Sequence, residues 1–531
     1  MLILSSRASR TEHFEGYAFV GLDYINGPAG LAEFRTHTGR SVPPGEDGCY
    51  VVARRVGRSM EVGTDANGLG RLFLYRSGRR WAIGSSYTGL IDHLRTAGWP
   101  LTPRLSRLRP FALRHTFTMQ LSTYQTAFDE VRLLPVGTRA VIRGRRLQLD
   151  QADPAAQTER PGPTAARTAE DYERALDEYL AVWRGRTRTL LLDPRVTFTA
   201  DLSGGVDSRT VLSFLLESGL FDTASDRFAL LSGVNQKADL AVATSIAAHH
   251  GLEVNGPQPA SRTLVSGERA YAHWRQNSLG VYTPVYVGAT FQNPFEIHSH
   301  GAGGGNVKQY YKTADPVDLL GQFEGKMPAA DFDQWRQEVA ATQEELRSLA
   351  PGVVPSIQHY MEFRNRFHFG HIPQARPLFT PLNSKYAIRA LTALPQEHRR
   401  RFYFDVMESL VPGLKDHPYD DRRKAPTGQE LDDLTALRPL PDAGHGAVYA
   451  DPTVEVSRPD DPRSGGFARW LQDIEDAAQR PEVRRFIMGN AMTRTDRTVA
   501  QLKALGKPFH SHSGQSVQLS HLLMVDFTLR D

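Results

Sequence analysis

The chain has almost no cysteine: Cys49 is the only one in 531 residues. A lone thiol excludes any disulfide within the chain. In Asp-Gly-Cys-Tyr-Val-Val-Ala it sits in a strand-like run, where cysteine behaves as a small buried hydrophobe. An excess of one charge is also missing, since 63 Lys plus Arg face 59 Asp plus Glu for a net of +4. That balance gives no argument for a nucleic-acid surface. No apolar run approaches the roughly twenty residues a membrane-crossing helix needs. Met1 to Ser6 is too short for a signal-peptide core before Arg7 and Arg10. These absences predict a cytoplasmic protein with no membrane and no nucleic-acid partner. There is no internal repeat, and no Cys-rich or H-x-x-x-H pattern. The histidine pairs His298/His300, His368/His371 and His510/His512 are therefore expected to be structural rather than zinc ligands.

What is present centres on Val196-Thr-Phe-Thr-Ala-Asp-Leu-Ser-Gly-Gly-Val-Asp-Ser-Arg-Thr210. A β-rich run ends near Ala200, a tight Ser203-Gly204-Gly205-Val206-Asp207-Ser208 turn follows, and an apolar helix begins at Thr210. Such a strand, turn and helix start aim backbone N–H groups and a helix dipole at one point, which suits an anion. Gly204 and Gly205 leave space where a Cβ would intrude. Ser203 and Ser208 supply hydroxyls, and Asp207 can hold Mg²⁺ against phosphates. No G-x-x-x-x-G-K-[ST] occurs, so this is not a Walker loop. The string resembles the pyrophosphate-binding loop of N-type ATP pyrophosphatases, which cleave ATP between its α and β phosphates. ATP and Mg²⁺ are the cofactors this implies.

Residues 1–150 read as short strands: Tyr17-Ala-Phe-Val-Gly-Leu, Cys49-Tyr-Val-Val-Ala, Arg71 to Tyr75, Trp81-Ala-Ile-Gly and Thr138 to Ile142, separated by Gly, Asp and Asn turns. In order, Thr64 to Tyr75, Trp81 to Ser86 and Leu134-Pro-Val-Gly-Thr138 resemble the glutaminase domain of class B asparagine synthetases. The resemblance implies an α+β, Ntn-hydrolase-like two-sheet sandwich. Those glutaminases use a cysteine directly after the initiator Met, where this chain has Leu2. The domain is therefore read as a degenerate scaffold without glutamine hydrolysis.

Residues 151–167, rich in Ala, Pro, Gln and Thr, read as a linker. In the remainder, 168–531, Thr168 is a candidate helix N-cap, and Tyr172, Leu176, Tyr179, Leu180 and Trp183 mark one apolar face. Arg227 to Ser232 reads as the next parallel strand and Ala238 to His249 as a helix. Alternating strands and helices predict a doubly wound parallel α/β sheet, followed by a helical C-terminal part. The resemblance places adenine against backbone at Leu231, Ser232 and Gly233, with Asp239 at a typical acidic position. Glu296-Ile-His-Ser-His-Gly-Ala-Gly-Gly-Gly-Asn306 resembles the family's second glycine-rich loop, with Gly303 beside the nucleotide. Asparagine synthetases carry acidic residues where this chain has Ala302 and Gly305. An Asp restored at 305 is expected to be tolerated.

The Tyr–Glu proton-transfer pair of β-lactam synthetases aligns with Ala302 and Gln374, which leaves Tyr310, Tyr311 and Glu362 as candidate bases. Arg364, Arg366 and Arg376 are candidates for holding phosphate or an acidic substrate. Lys424 is the candidate for the lysine that relatives aim at the adenylate, with Lys503 and Lys507 as competitors. The expected activity is an AMP-forming amide synthetase that adenylates a small carboxylic acid, or a peptide, and passes it to an amine in natural-product biosynthesis. The alternatives are a catalytically degenerate nucleotide-binding protein and a lasso-peptide-type macrocyclase.

Overall fold

A computed structural model of the chain describes every residue except 8–10, 152–168, 220–224, 258–266, 286–292, 308–309, 351–352, 371–375, 436–439, 441, 452–463, 488 and 531. The linker 151–167, apart from Gln151, lies outside the described residues, as do Thr168, His371 and Gln374.

Among the described residues of the first 151 are the helices Gly27–Thr38 and Tyr87–Thr96 and ten strands: β1 (Ile3–Ser5), β2 (His13–Val20), β3 (Asp23–Asn26), β4 (Asp47–Val56), β5 (Ser59–Thr64), β6 (Phe73–Ser77), β7 (Arg80–Gly84), β8 (Val131–Leu133), β9 (Thr138–Arg143) and β10 (Arg146–Gln151). One sheet runs β1-β7-β6-β8, and the other starts β10-β9-β5-β4-β2-β3. Alternation along the strands decides the packing, because residues two apart share a face. Leu2, Leu4, Leu72, Leu74, Trp81 and Ile83 of one sheet meet Val51, Ala53, Met60, Val62, Ala140 and Ile142 of the other in a single buried cluster. Cys49 is buried in β4, opposite Tyr17 of β2. Burial pushes its thiol well above the ordinary range, and the nearby Asp65 carboxylate adds to that.

The parallel sheet is assembled from β11 (Thr197–Asp201), β12 (Phe228–Leu231), β13 (Glu296–Ser299) and β14 (Leu378–Phe379), in the order β12-β11-β13-β14. All three pairings are parallel. The fourth strand is only two residues long. The helices α1 (Ala169–Leu192), α2 (Val206–Glu217), α3 (Lys237–His249), α4 (Lys385–Ala393) and α5 (Arg401–Leu410) contribute buried side chains to the core of this sheet. The apolar face of α1 is buried at Tyr172, Leu176, Tyr179, Leu180 and Trp183. The mixed α/β content, the parallel four-stranded sheet and the many helices agree with the coarse reading of the sequence.

Three features tie the halves together. β15 (Val448–Ala450) pairs in parallel with β3 and completes the larger antiparallel sheet as its seventh strand. Second, Arg186 of α1 donates to Asp47 of β4 at 2.6 Å, with both side chains buried. Asp47 also accepts from the Lys385 backbone N–H at 2.7 Å, and Arg186 donates to the Gly21 carbonyl at 2.9 Å. The C-terminal helices return to the first half as well: Arg95 donates to the carbonyls of Phe527 and Arg530 at 2.7 and 2.6 Å.

Candidate functional site

The carboxyl ends of β11, β12 and β13 gather the loops that the sequence singles out. After β11 the chain turns through Leu202 to Gly205, and α2 starts at Val206 with Gly205 as its N-cap. The turn is held by its own side chains: the Ser208 hydroxyl accepts from the Ser203 N–H at 3.1 Å, and Ser203 Oγ accepts from the Gly205 N–H at 3.2 Å. The Gly204 N–H donates to Asp239 Oδ1 of α3 at 2.9 Å.

The second glycine loop packs directly on the first. A Cβ at Gly301 would stand 3.0 Å from the Ser208 nitrogen. One at Gly304 would stand 2.4 to 2.6 Å from the Asp207 carboxylate atoms. Gly303 adopts φ +106°, a left-handed conformation that glycine reaches without strain, and it presses on the Leu382 carbonyl. The glycines are thus needed so that the loop backbone can close over Asp207. The Tyr403 hydroxyl donates to the Gly304 carbonyl at 3.2 Å. Burial, with the negative charge of Asp207 next, pushes the Tyr403 hydroxyl far above its ordinary range, so it stays protonated.

Position 305 requires a correction. A Cβ there would lie 2.2 Å from the buried Tyr360 ring, so an Asp cannot be accommodated without displacing that ring. A carboxylate from elsewhere in the chain stands against the first glycine turn. Asp420 packs against Gly204, whose Cβ would lie 2.4 Å from that of Asp420. The buried Oδ1 of Asp420 has no hydrogen-bond partner among the described residues. Its Oδ2 accepts from Lys424 Nζ at 2.6 Å. Lys424 Nζ also stands 3.9 Å from the Cβ position of Gly205, so this lysine reaches the loop. Asp207, Asp239 and Asp420 each face one of the two glycine loops and offer oxygen donors of the kind Mg²⁺ takes, but the three do not converge as a ligand group within 4.8 Å of one another.

A polar group on β11 and β13 flanks the loop, and the sequence reading passed over its chemistry. His298 Nε2 and Asp201 Oδ2 are 3.0 Å apart, and His298 Nδ1 is 2.8 Å from Thr199 Oγ1. His300 Nε2 lies 3.8 Å from the same carboxylate. Burial pushes the Asp201 carboxyl up, but the bond to His298 and the charges of His298, His300 and Arg376 outweigh it and leave it lowered. Burial lowers the His300 imidazole, favouring its neutral form. The local signal is His-Ser-His running off the end of β13, where extended residues two apart share one face.

The other expected residues divide. Leu231, Ser232 and Gly233 lie at the end of β12, beside the loop. Asn255, at φ +61°, accepts from the Ser232 N–H at 3.0 Å and donates to its carbonyl at 3.1 Å, so the edge expected for adenine is engaged. Arg376 lies close enough to act on Asp201 and His300. Glu362 is not brought to the loop. Its two carboxylate oxygens accept from the Val136 N–H at 3.2 Å, and Arg366 holds it at 3.2 Å. Arg366 is itself buried, donating to the carbonyls of Gly68 and Leu134, so it bridges to the first half rather than binding phosphate. Arg364 is buried and donates to Gln120. Tyr310 packs on Tyr311 and Tyr360 at ring separations of 5.4 and 5.0 Å, behind the glycine loop. Lys503 pairs with Glu475 on the C-terminal helices. No protein-family model and no curated protein matches the chain.

Proposed function

We propose that the chain is an ATP-dependent, AMP-forming amide synthetase. The supporting observation is the convergence of the Ser203–Ser208 turn, the Gly301–Gly305 loop, Asp207 and Lys424 at the carboxyl edge of a parallel sheet. Sites in open parallel sheets form at that edge. The reading takes this half as a doubly wound pyrophosphatase-type domain and the sandwich as an Ntn-hydrolase-like scaffold. A substrate carboxylate attacks the α-phosphorus of ATP, pyrophosphate leaves, and an amine then displaces AMP from the acyl-adenylate. Mg²⁺ held by Asp207 would neutralise phosphate charge. The N-terminus of α2 and Lys424 stabilise the leaving pyrophosphate electrostatically. His300 replaces Glu362 as the candidate to accept the amine proton, because Glu362 is bound to Val136 and Arg366 while His300 stands beside the loop.

The direct test is exchange of labelled pyrophosphate into ATP with a panel of small carboxylic acids and peptides. Acid-dependent exchange, with AMP and pyrophosphate formed in equal amounts alongside amide, is expected. Formation of ADP and phosphate overturns the reading. Two observations favour a second reading, a nucleotide-binding protein without catalysis: Asp239 occupies the Gly204 N–H, and Asn255 occupies the Ser232 edge. ATP binding with no exchange for any acid would select it.

A further inference from the structure

Outside the loop cluster, three histidines from distant parts of the sequence meet at one point. α3 ends at His249, His250 follows as its C-cap, and Gly251 at φ +68° turns the chain away. His417 arrives from the strap 413–424, which runs along the start of α2. Each of the three offers a ring nitrogen within 4.8 Å of the others. Ring centroids are 4.7 Å apart for His249 and His417, and 5.0 Å for His249 and His250. The buried Nε2 of His250 has no hydrogen-bond partner among the described residues.

We propose that His249, His250 and His417 bind one divalent transition-metal ion of the zinc class and thereby pin the strap to the end of α3. Three imidazoles suit Zn²⁺ and its neighbours rather than Mg²⁺ or Ca²⁺, which take oxygen donors. A triangle with 4.8 Å sides has its centre about 2.8 Å from each corner, against a Zn–N distance of about 2.0–2.1 Å. Rotations that bring each ring in by under about 1 Å therefore close the site. An open pocket lined by the same histidines with Pro412, Leu414 and Asp416 leaves room for a fourth ligand, water or the Asp416 carboxylate. The opposing term is the Arg209 guanidinium, which donates to the His417 carbonyl at 2.8 Å. It is partly offset by its seat over the Tyr419 ring and its bond to the Pro418 carbonyl.

The site has a mechanical consequence. His417 lies three residues before Asp420 and seven before Lys424, the two groups the strap delivers to Gly204 and Gly205. α3 carries Asp239 to the same loop from its first turn. An ion joining α3 to the strap would therefore fix both suppliers of charge to the loop.

The test uses the full chain without any affinity tag, stripped with chelator and titrated with Zn²⁺ alone, then with Co²⁺ followed by visible absorption. One equivalent of Zn²⁺ and an intense tetrahedral-type Co²⁺ spectrum are expected. His417→Ala and the more conservative His249→Gln should each weaken binding about tenfold or more. His37→Ala, at an exposed histidine on another helix, should leave it unchanged. Circular dichroism establishes that each variant is folded. A wild type that binds no stoichiometric Zn²⁺ overturns the proposal. So does binding that survives unchanged in both His249→Gln and His417→Ala.

Discussion

Gly304→Ala is the most revealing single change at the loop cluster. The new Cβ would sit 2.4 Å from Asp207 Oδ1, 2.5 Å from its Cγ and 2.6 Å from Oδ2, where ordinary contacts begin at 3.4 Å. Either the carboxylate or the glycine loop must retreat by about 1 Å. Overpacking of this kind costs about 1–3 kcal/mol of stability. A displacement of about 1 Å at a reacting centre costs about 10²-fold in rate. The Tyr403 bond to the Gly304 carbonyl resists movement of the loop, which directs the displacement onto Asp207. Pyrophosphate–ATP exchange should therefore fall about 10²-fold, with a modest drop in melting temperature. Gly321→Ala is the control, since a Cβ there meets nothing within 4 Å and the residue lies outside the loop cluster. A Gly304→Ala protein that melts like wild type and exchanges within about twofold of it would refute the reasoning that Asp207 is held by the glycine loop for chemistry.

Asp207→Asn should lower exchange by about 10²-fold or more, or about 3 kcal/mol, through loss of a preorganised charge; unchanged exchange and Mg²⁺ dependence would remove Asp207 from the metal role. No glutamate should be released from glutamine, because Leu2 is buried between the two sheets and the lone thiol, Cys49, is buried in β4. Glutaminase activity that survives Cys49→Ala would contradict this. Asp47→Ala leaves Arg186 buried without its counter-charge and should destabilise the chain by about 3–5 kcal/mol in chemical denaturation. A change under about 1 kcal/mol would show that the contact between the halves carries little. Acid should destabilise the protein before its carboxylates titrate. Burial holds His359 and His521 down to about 4, while in the unfolded chain each takes a proton near 6.5. The unfolded state thus binds more protons, so their contribution, about 3 kcal/mol each, is complete above pH about 6.5 and is lost as pH falls toward about 4. A melting temperature flat from pH 7 to pH 5 would argue against it.

The local chemistry of this chain was legible in its residues. Ser203 to Ser208 can only be a tight turn opening a helix, because two adjacent glycines and flanking hydroxyls follow a β-rich run, and the structure starts α2 at Val206. The alternating strands of the first half and the apolar stripe of α1 were equally direct, since periods of two and of 3.6 survive in the sequence itself. The helix Gly514–Leu529 belongs to the helical C-terminal part that the sequence leads one to expect, and Ser513 caps it by accepting from the Ser516 N–H.

What sequence could not supply were the partnerships between distant residues. Glu362 has the chemistry of a base, and only packing shows it bound to Val136 and Arg366. Asp420 and Lys424 reach the loop from more than two hundred residues downstream. Gly305 reads in the sequence as a vacant ligand position, and in the fold the Tyr360 ring fills the space of its Cβ. His249 and His250 met His417 across a gap that no spacing pattern encodes. β15 joined a sheet whose other strands all lie in the first 151 residues. The physical reason is common to all of these. Turn geometry and periodicity are set by neighbours in the chain, whereas a side chain's partner and the shift in its pKa are set by whichever distant segment is packed against it.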